Sequence, residues 1–463
     1  MSEQPQLYPL TQSQQMMFLN LKYCYLKSVV NICTMMHFEA EMDERLLLQA
    51  CYMSIMRNQA ASLRLREVTE TDANGKKKKV IKQYFSRKAP DPIPVLDFSD
   101  RTEEALQESI DAWSRTPFPY RSMDTQLYVI RLIKKPDGNY AVFFCVNHVV
   151  FDAYSLMATA KEMLEIYAAL RDGTAVPKPA PSPLPAYEAD WNYNTSPAHE
   201  RDVAFWRDEV FDTEPYFTTI NGSGSKEAPK PGKRWGVTLR LWQIKADFAD
   251  YTVKKELVDK VNALATELRV SPQVLYLLAM RNYLSKKNDN QEDILFFNTV
   301  ARRATINQKR AGGTLVHAVP FRSRLSNELS FSEACREMQK LQTSYYRHAN
   351  LAPTEAIDIY KKKFNLPDCT GYHMASLTYQ PYFVPGDPTI PTHFSRHSNG
   401  AATMPLYLTI IALDSSGDLT FNYEYLLGYI SREAIDELQS YIVRMLENAV
   451  ANPESKLMDL MAL

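Results

Sequence analysis

The stretch AVFFCVNHVVFDAYSLM, residues 141–157, holds the side chains best suited to chemistry. His148 ends an apolar run, and Asp152 stands four residues beyond it. A neutral imidazole accepts a proton near neutral pH, because its unperturbed pKa is about 6.5. A nearby carboxylate can hold the loop from which that ring projects. An apolar run that stops at a polar loop, with a helical pattern directly after it, puts the loop at the mouth of a sheet. That is where α/β proteins tend to place chemistry. Taken by spacing alone, the structural alternative outweighs the catalytic one. Asp152 lies where a helix N-cap would lie, His148 could be satisfied by a backbone carbonyl, and H-x-x-x-D arises often by chance.

Other candidates are weaker. His393 and His397 share an i, i+4 spacing in THFSRHSNG (392–400), but that segment reads as a loop, so no metal site is expected. PDCTGYH (367–373) sets a cysteine near a histidine with nothing to make it a nucleophile. No G-x-S-x-G, phosphate loop or dinucleotide fingerprint is present. The lysines at 76–79 read as the solvated edge of a hairpin.

The elements around these residues follow from periodicity and turn chemistry. Helices are expected over 11–22, with Thr11 or Ser13 as cap, and over 44–59, 103–116 and 153–171. In the second half they are expected over 254–269, 271–287 (Pro272 early, Ser271 as cap), 330–348 and 431–450. SLRLREV and KKVIKQYF flank Asn74-Gly75 and read as a hairpin. Strands are expected at 126–135 and 139–147, joined by a Pro-Asp-Gly turn, and at 293–302, 315–325, HMASLTYQPY, LYLTIIAL and LTFNYEYL. The proline-rich stretch VPKPAPSPLP (176–185) marks the expected domain boundary. Strands and helices mix on both sides of it, which means α/β or α+β in each half.

The chain has 463 residues, enough for two cores, with 53 basic and 54 acidic side chains. That balance argues against nucleic acid or an acidic membrane surface as the main partner. No apolar run is long enough to span a membrane, and MSEQPQLYPL is no signal peptide. Six cysteines without a C-x-x-C pair suit reduced thiols in the cytosol. A monomer is expected.

NHVVFDAYS resembles the HHxxxDG core motif of nonribosomal peptide synthetase condensation domains and their acyltransferase relatives. His148 matches the second, catalytic histidine and Asp152 the aspartate. The likeness extends in order along nearly the whole chain, through LYPLTQSQQMMF (7–18), residues 189–210 with their paired tryptophans, SPQVLYLLAMRNYL (271–284), DILFFNTVARR (293–303), GGTLVHAVPFR (312–322) and residues 404–426. Four positions depart from the family pattern. Asn147 replaces the first histidine, Ala153 the glycine, His317 an asparagine, and Ser62 an arginine.

The resemblance implies two chloramphenicol acetyltransferase-like lobes in a V-shaped pseudo-dimer with a central tunnel, residues 1–178 before the linker and 179–463 after it. It implies a condensation-type acyltransferase. An acyl or peptidyl carrier protein presents a phosphopantetheine thioester, and a small-molecule amine or alcohol attacks it. No cofactor or metal is bound by the chain itself. His148 would accept the nucleophile's proton or steady the tetrahedral intermediate. Asp152 would turn away from the substrate and pair with an arginine, Arg302 first and Arg303 as the alternative. Asn147 and Ala153 would shape the loop, Tyr154 and Ser155 would line the tunnel unless Ser155 caps the helix, and His317 would reach it or pack at the surface. The alternatives are a degenerate condensation-like domain that recruits partner proteins, and a coenzyme A-dependent O- or N-acyltransferase.

Overall fold

Capping residues set many of the helix starts. Thr11, Asp43, Thr102, Asp152, Ser330 and Ser431 each accept a hydrogen bond from a backbone N–H in the first turn of the helix that follows. Ser271 occupies the same position before Pro272–Lys287 but makes no such bond. A computed structural model of the protein describes residues 4–71, 75–119, 124–238, 240–381, 387 and 389–462. Asn74 lies outside them. The strands that flank it, Leu63–Thr71 and Lys77–Phe85, pair antiparallel as expected, and Lys76 to Lys79 are exposed.

The chain forms two compact units. The first comprises residues 1–194, 301–316 and 384–400; the second comprises 195–300, 317–383 and 401–463. This differs from a single cut at 178/179. Residues 174–182 are free of helix and strand, but the first unit runs past them through helix Leu184–Tyr193 and takes back two later segments. One of these carries Thr392–His397, expected as a loop and found as a strand. The ladder of Asn31–Phe38 holds it in register, His393 opposite His37 and His397 opposite Cys33. Backbone pairing across more than 350 residues of sequence cannot be read from local composition.

The first unit is built on a five-stranded sheet in the order Thr392–His397, Asn31–Phe38, Tyr140–Asn147, Tyr128–Lys134, Val95–Asp97. Tyr140–Asn147 is the central strand, and every residue from Ala141 to Asn147 is buried, which is why it is apolar on both faces. Helix Glu103–Arg115 covers one face, with Trp113 at 5.6 Å from Phe143. Helix Ala153–Asp172 leaves the far end of the central strand and packs on helix Glu44–Arg57.

The second unit holds a six-stranded sheet in the order His317–Arg324, Asp293–Val300, Ala375–Gln380, Leu406–Ile411, Leu419–Leu426, Ala246–Val253. Its central helix, Pro272–Lys287, is buried on every side from Gln273 to Ser285, as expected of a helix with no polar face turned to water. Helices Lys255–Leu268, Phe331–Arg347 and Arg432–Ala451 pack against it. Phe321 is fully buried between Phe296 (5.6 Å) and Tyr345 (4.9 Å). Truncating such a side chain costs its transfer energy plus a cavity. Phe321→Ala should therefore destabilise the second unit by about 3–5 kcal/mol, read as a shift of the denaturant midpoint with the slope unchanged.

Candidate active site

Three short segments of the first unit meet at the end of the central strand: residues 147–155, residues 302–303, and the loop 311–315. Asn147 closes the strand. Its Oδ1 accepts the Val149 N–H at 2.9 Å, and its carbonyl accepts the N–H groups of Val150 and Phe151 at 3.0 and 3.2 Å. A side-chain oxygen that takes the N–H two residues on is the pattern by which asparagine stabilises turns. The imidazole expected at this position is thus replaced by a group that organises the loop internally.

His148 is fixed through its backbone. Its N–H donates to the Val30 carbonyl at 2.7 Å, and its own carbonyl accepts the Thr314 hydroxyl at 2.6 Å. The residue is partly exposed, whereas Asn147, Val149, Val150 and Phe151 are buried. Nδ1 is sealed without a hydrogen-bond partner, so Nε2 is the nitrogen left to meet a substrate. Burial lowers the pKa of the ring; the Asp152 carboxylate and nearby backbone oppose the shift without cancelling it. The ring is therefore a neutral base at pH 7 and remains one on mild acidification.

Asp152 is fully buried. It accepts hydrogen bonds from Arg303 on both oxygens (2.9 and 2.8 Å), from the Ser155 N–H (2.8 Å) and from the Leu315 N–H (3.0 Å). Burial alone would raise its pKa. The Arg303 guanidinium and the two N–H groups outweigh burial and hold it below the usual carboxylate value. Arg303 also donates to the carbonyls of Gln308 (2.7 Å), Ala311 (3.1 Å) and Gly313 (2.9 Å). One buried cation thus ties the aspartate to the loop whose Thr314 holds the His148 carbonyl.

Arg302, the first-choice partner, does not reach Asp152. It has a left-handed backbone, φ +53°, and its side chain pairs with buried Asp190 at 2.8 Å. Asp190 also accepts the Gln12 N–H at 2.8 Å, so Arg302 secures the start of the chain and helix Leu184–Tyr193. The two consecutive arginines diverge to different carboxylates, and the sequence does not show which takes which. Both lie in the same compact unit as Asp152.

The remaining expected residues sort by burial. Ser155 is fully buried and forms a reciprocal capping box with Asp152, so it caps the helix and lines no cavity. Tyr154 is partly exposed, with its ring 5.1 Å from the Arg303 guanidinium. Ala153 is the first helical residue and is absent from the left-handed region, so alanine is unstrained there. His317 is no surface residue: it is fully buried at the start of His317–Arg324 in the second unit, with Nδ1 at 2.9 Å from the Ala349 carbonyl. Ser62 closes a short helical turn by donating to the Gln59 carbonyl at 2.7 Å. His393 stacks on His37 at 4.4 Å, and Ser395 links His37 to His397. Among the described residues, no group of three or more potential ligands is placed to hold a metal ion.

Sequence reasoning did not single out Thr314 or Gly313. Gly313 has φ +100°, and a side chain there would meet the buried Tyr187 hydroxyl at 2.4 Å. The Gly312-Gly313 pair was the available signal, since paired glycines mark close backbone approach.

A folded-state pKa below the unfolded value means that Asp152 contributes stability above the unfolded carboxylate pKa, and that this is lost as pH falls through the folded one. Arg303→Met removes the cation and leaves a buried carboxylate. The cost should be about 3–5 kcal/mol at pH 7 and should shrink toward pH 4, as the stranded carboxylate protonates. Chemical denaturation at both pH values checks this.

The comparisons with known proteins converge. The family model described as "Condensation domain" matches residues 4–463. Surfactin synthase subunit 1 of Bacillus subtilis (strain 168) is 23% identical over 453 residues, which cover 96% of this chain and 12% of that protein. The chain therefore spans about one-eighth of that relative. Among solved structures, the first condensation domain of the calcium-dependent antibiotic synthetase in complex with a substrate analogue superposes with a TM-score of 0.78 at 18% identity, covering 98% of both chains. A mutant starter condensation domain of rhizomide synthetase in complex with C8-CoA gives a TM-score of 0.77 at 18% identity, covering 98% of this chain and 96% of that one.

Proposed function

Because the chain belongs to the condensation domain family, whose chemistry is acyl transfer with amide formation, we propose that it joins a thioester-bound acyl group to an amine, with His148 as the acting residue. The observation that carries this reading is His148, partly exposed among buried neighbours and mounted on a backbone pinned by Val30 and Thr314. In this reading Nε2 accepts the amine's proton as nitrogen attacks the thioester carbonyl, or holds the amine while charge develops on the tetrahedral intermediate. General base help of this kind is typically worth about 10²–10⁴-fold. Asp152 has no free oxygen to offer a substrate, since both accept bonds from Arg303 and the backbone. It acts by positioning.

The donor in this proposal is an acyl or peptidyl group on the phosphopantetheine of a carrier protein, as in nonribosomal peptide biosynthesis. Acyl-CoA is a second source of the same thioester, favoured by the C8-CoA bound to the rhizomide synthetase domain. An alcohol acceptor would place a heavier demand on the base. The same reading puts the reaction in the reducing cytosol, a setting that the six free cysteines suit. No helix of the described residues is long and apolar enough to cross a membrane. The intact loop speaks against the degenerate, partner-recruiting alternative, because Asn147 Oδ1 holds the turn through the Val149 N–H and Ala153 has a right-handed helical backbone.

The test offers acyl-pantetheine thioesters, with and without a carrier protein, to a panel of amines and alcohols, with products read by mass. His148→Ala should lower the transfer rate by about 10²–10⁴-fold while the circular dichroism and thermal midpoint stay unchanged. Equal rates for wild type and variant would remove His148 from the mechanism. Because burial lowers the His148 pKa, neutral imidazole persists below the ordinary value of about 6.5. Once kcat/KM is corrected for the unprotonated fraction of the amine, its acid limb should be centred below 6.5; a corrected limb centred above 6.5 would contradict the assignment.

A further inference from the structure

The strand pair that carries His148 contains a second reactive feature. Cys33 and Cys145 stand directly opposite each other on Asn31–Phe38 and Tyr140–Asn147. Their sulfurs are 3.5 Å apart. The His148 N–H donates to the Val30 carbonyl, so 30 and 148 form a hydrogen-bonded position of the ladder. Ladder positions alternate. Counting three steps back makes Cys33 and Cys145 a non-hydrogen-bonded pair, whose Cα atoms lie about 4.5 Å apart in antiparallel sheets. Disulfides span Cα separations of about 4.4–6.8 Å, so the backbone already meets the requirement. Closing the bond brings the two sulfurs from 3.5 Å to about 2.05 Å.

The two thiols are not equivalent. Cys145 borders a cleft of about 390 Å³, lined also by Trp113, Phe118 and Arg131. Cys33 faces the Ser114 carbonyl at 3.7 Å and does not border that cleft. The Arg131 guanidinium lies over the Trp113 ring at 4.7 Å and is close enough to act electrostatically on both sulfurs. Burial pushes the Cys33 thiol well above its ordinary range, and Arg131 opposes that shift without cancelling it.

We propose that Cys33 and Cys145 are a redox modification site, closed to a reversible cross-strand disulfide by a hydroperoxide. The Cys145 thiolate attacks the terminal peroxide oxygen. The O–O bond breaks, the alkoxide leaves and takes a proton, and Cys145 becomes a sulfenic acid. The Cys33 sulfur then attacks the Cys145 sulfur, the S–O bond breaks, and water departs with the Cys33 proton. Two thiols lose two electrons and two protons, and the hydroperoxide becomes an alcohol and water. The resulting bond ties together the two strands that lead to Asn147 and His148, in a loop of more than 100 residues.

The experiment treats the folded full chain with tert-butyl hydroperoxide, using the exposed Cys369 as an internal gauge of dose. The expected result is a peptide pair joining Cys33 to Cys145 in a non-reducing digest, a loss of two hydrogens, a higher thermal midpoint, and reversal of all three by dithiothreitol. Cys33→Ser should leave a Cys145 sulfenic acid that dimedone traps. Cys145→Ser should leave Cys33 unmodified. If Cys33 and Cys145 both alkylate fully on denaturation after Cys369 has been completely oxidised, the proposal is overturned. A sulfenic acid trapped on Cys33 instead of Cys145 would overturn the order of attack.

Discussion

The buried pair between Asp152 and Arg303 is the contact on which the site depends. Both side chains are about 1% exposed, so neither charge can be solvated by water and each must be neutralised by the other. Desolvating two ions is expensive, and a buried pair adds little net stability over an apolar replacement. What it supplies is geometry. The carboxylate has two oxygens, and every bond they accept comes from Arg303, from the motif helix, or from loop 311–315. The two terminal nitrogens of the guanidinium also donate to the carbonyls of residues 308, 311 and 313. Strand end, helix start and loop are thereby locked in one arrangement, and Thr314 passes that arrangement to the His148 carbonyl.

The same lock explains why the motif tolerates its substitutions. Asn147 satisfies the Val149 N–H within its own turn, so the loop does not need a second imidazole to keep its shape. Ala153 sits where the helix has already begun, so no glycine is required. The position that does demand glycine is 313, where the backbone is left-handed and Tyr187 crowds the space a side chain would take.

Much of the local structure was legible in the residues. The helices began and ended close to where caps and periodicity put them, and the central strand was visible as an uninterrupted apolar run. Asp152 as a helix cap and His148 at a strand end followed from the same local rules. Thr392–His397 was not legible, because a six-residue segment with five polar side chains becomes a strand only when another strand supplies its partners. Nor was Asn31–Phe38, which contributes both Val30's neighbour in the ladder and Cys33.

The choice between Arg302 and Arg303 shows where linear reasoning stops. A buried carboxylate requires a cation, and the sequence offers two adjacent ones. The folded backbone, left-handed at Arg302, directs one toward Asp190 and the other toward Asp152. The sequence by itself determined the chemical inventory of the site: an imidazole, a carboxylate, and arginines able to neutralise it, placed on elements whose local propensities are strong. Tertiary structure decided which atoms meet, because burial, backbone handedness and strand pairing are properties of segments brought together from 150 or more residues apart. No local pattern encodes them.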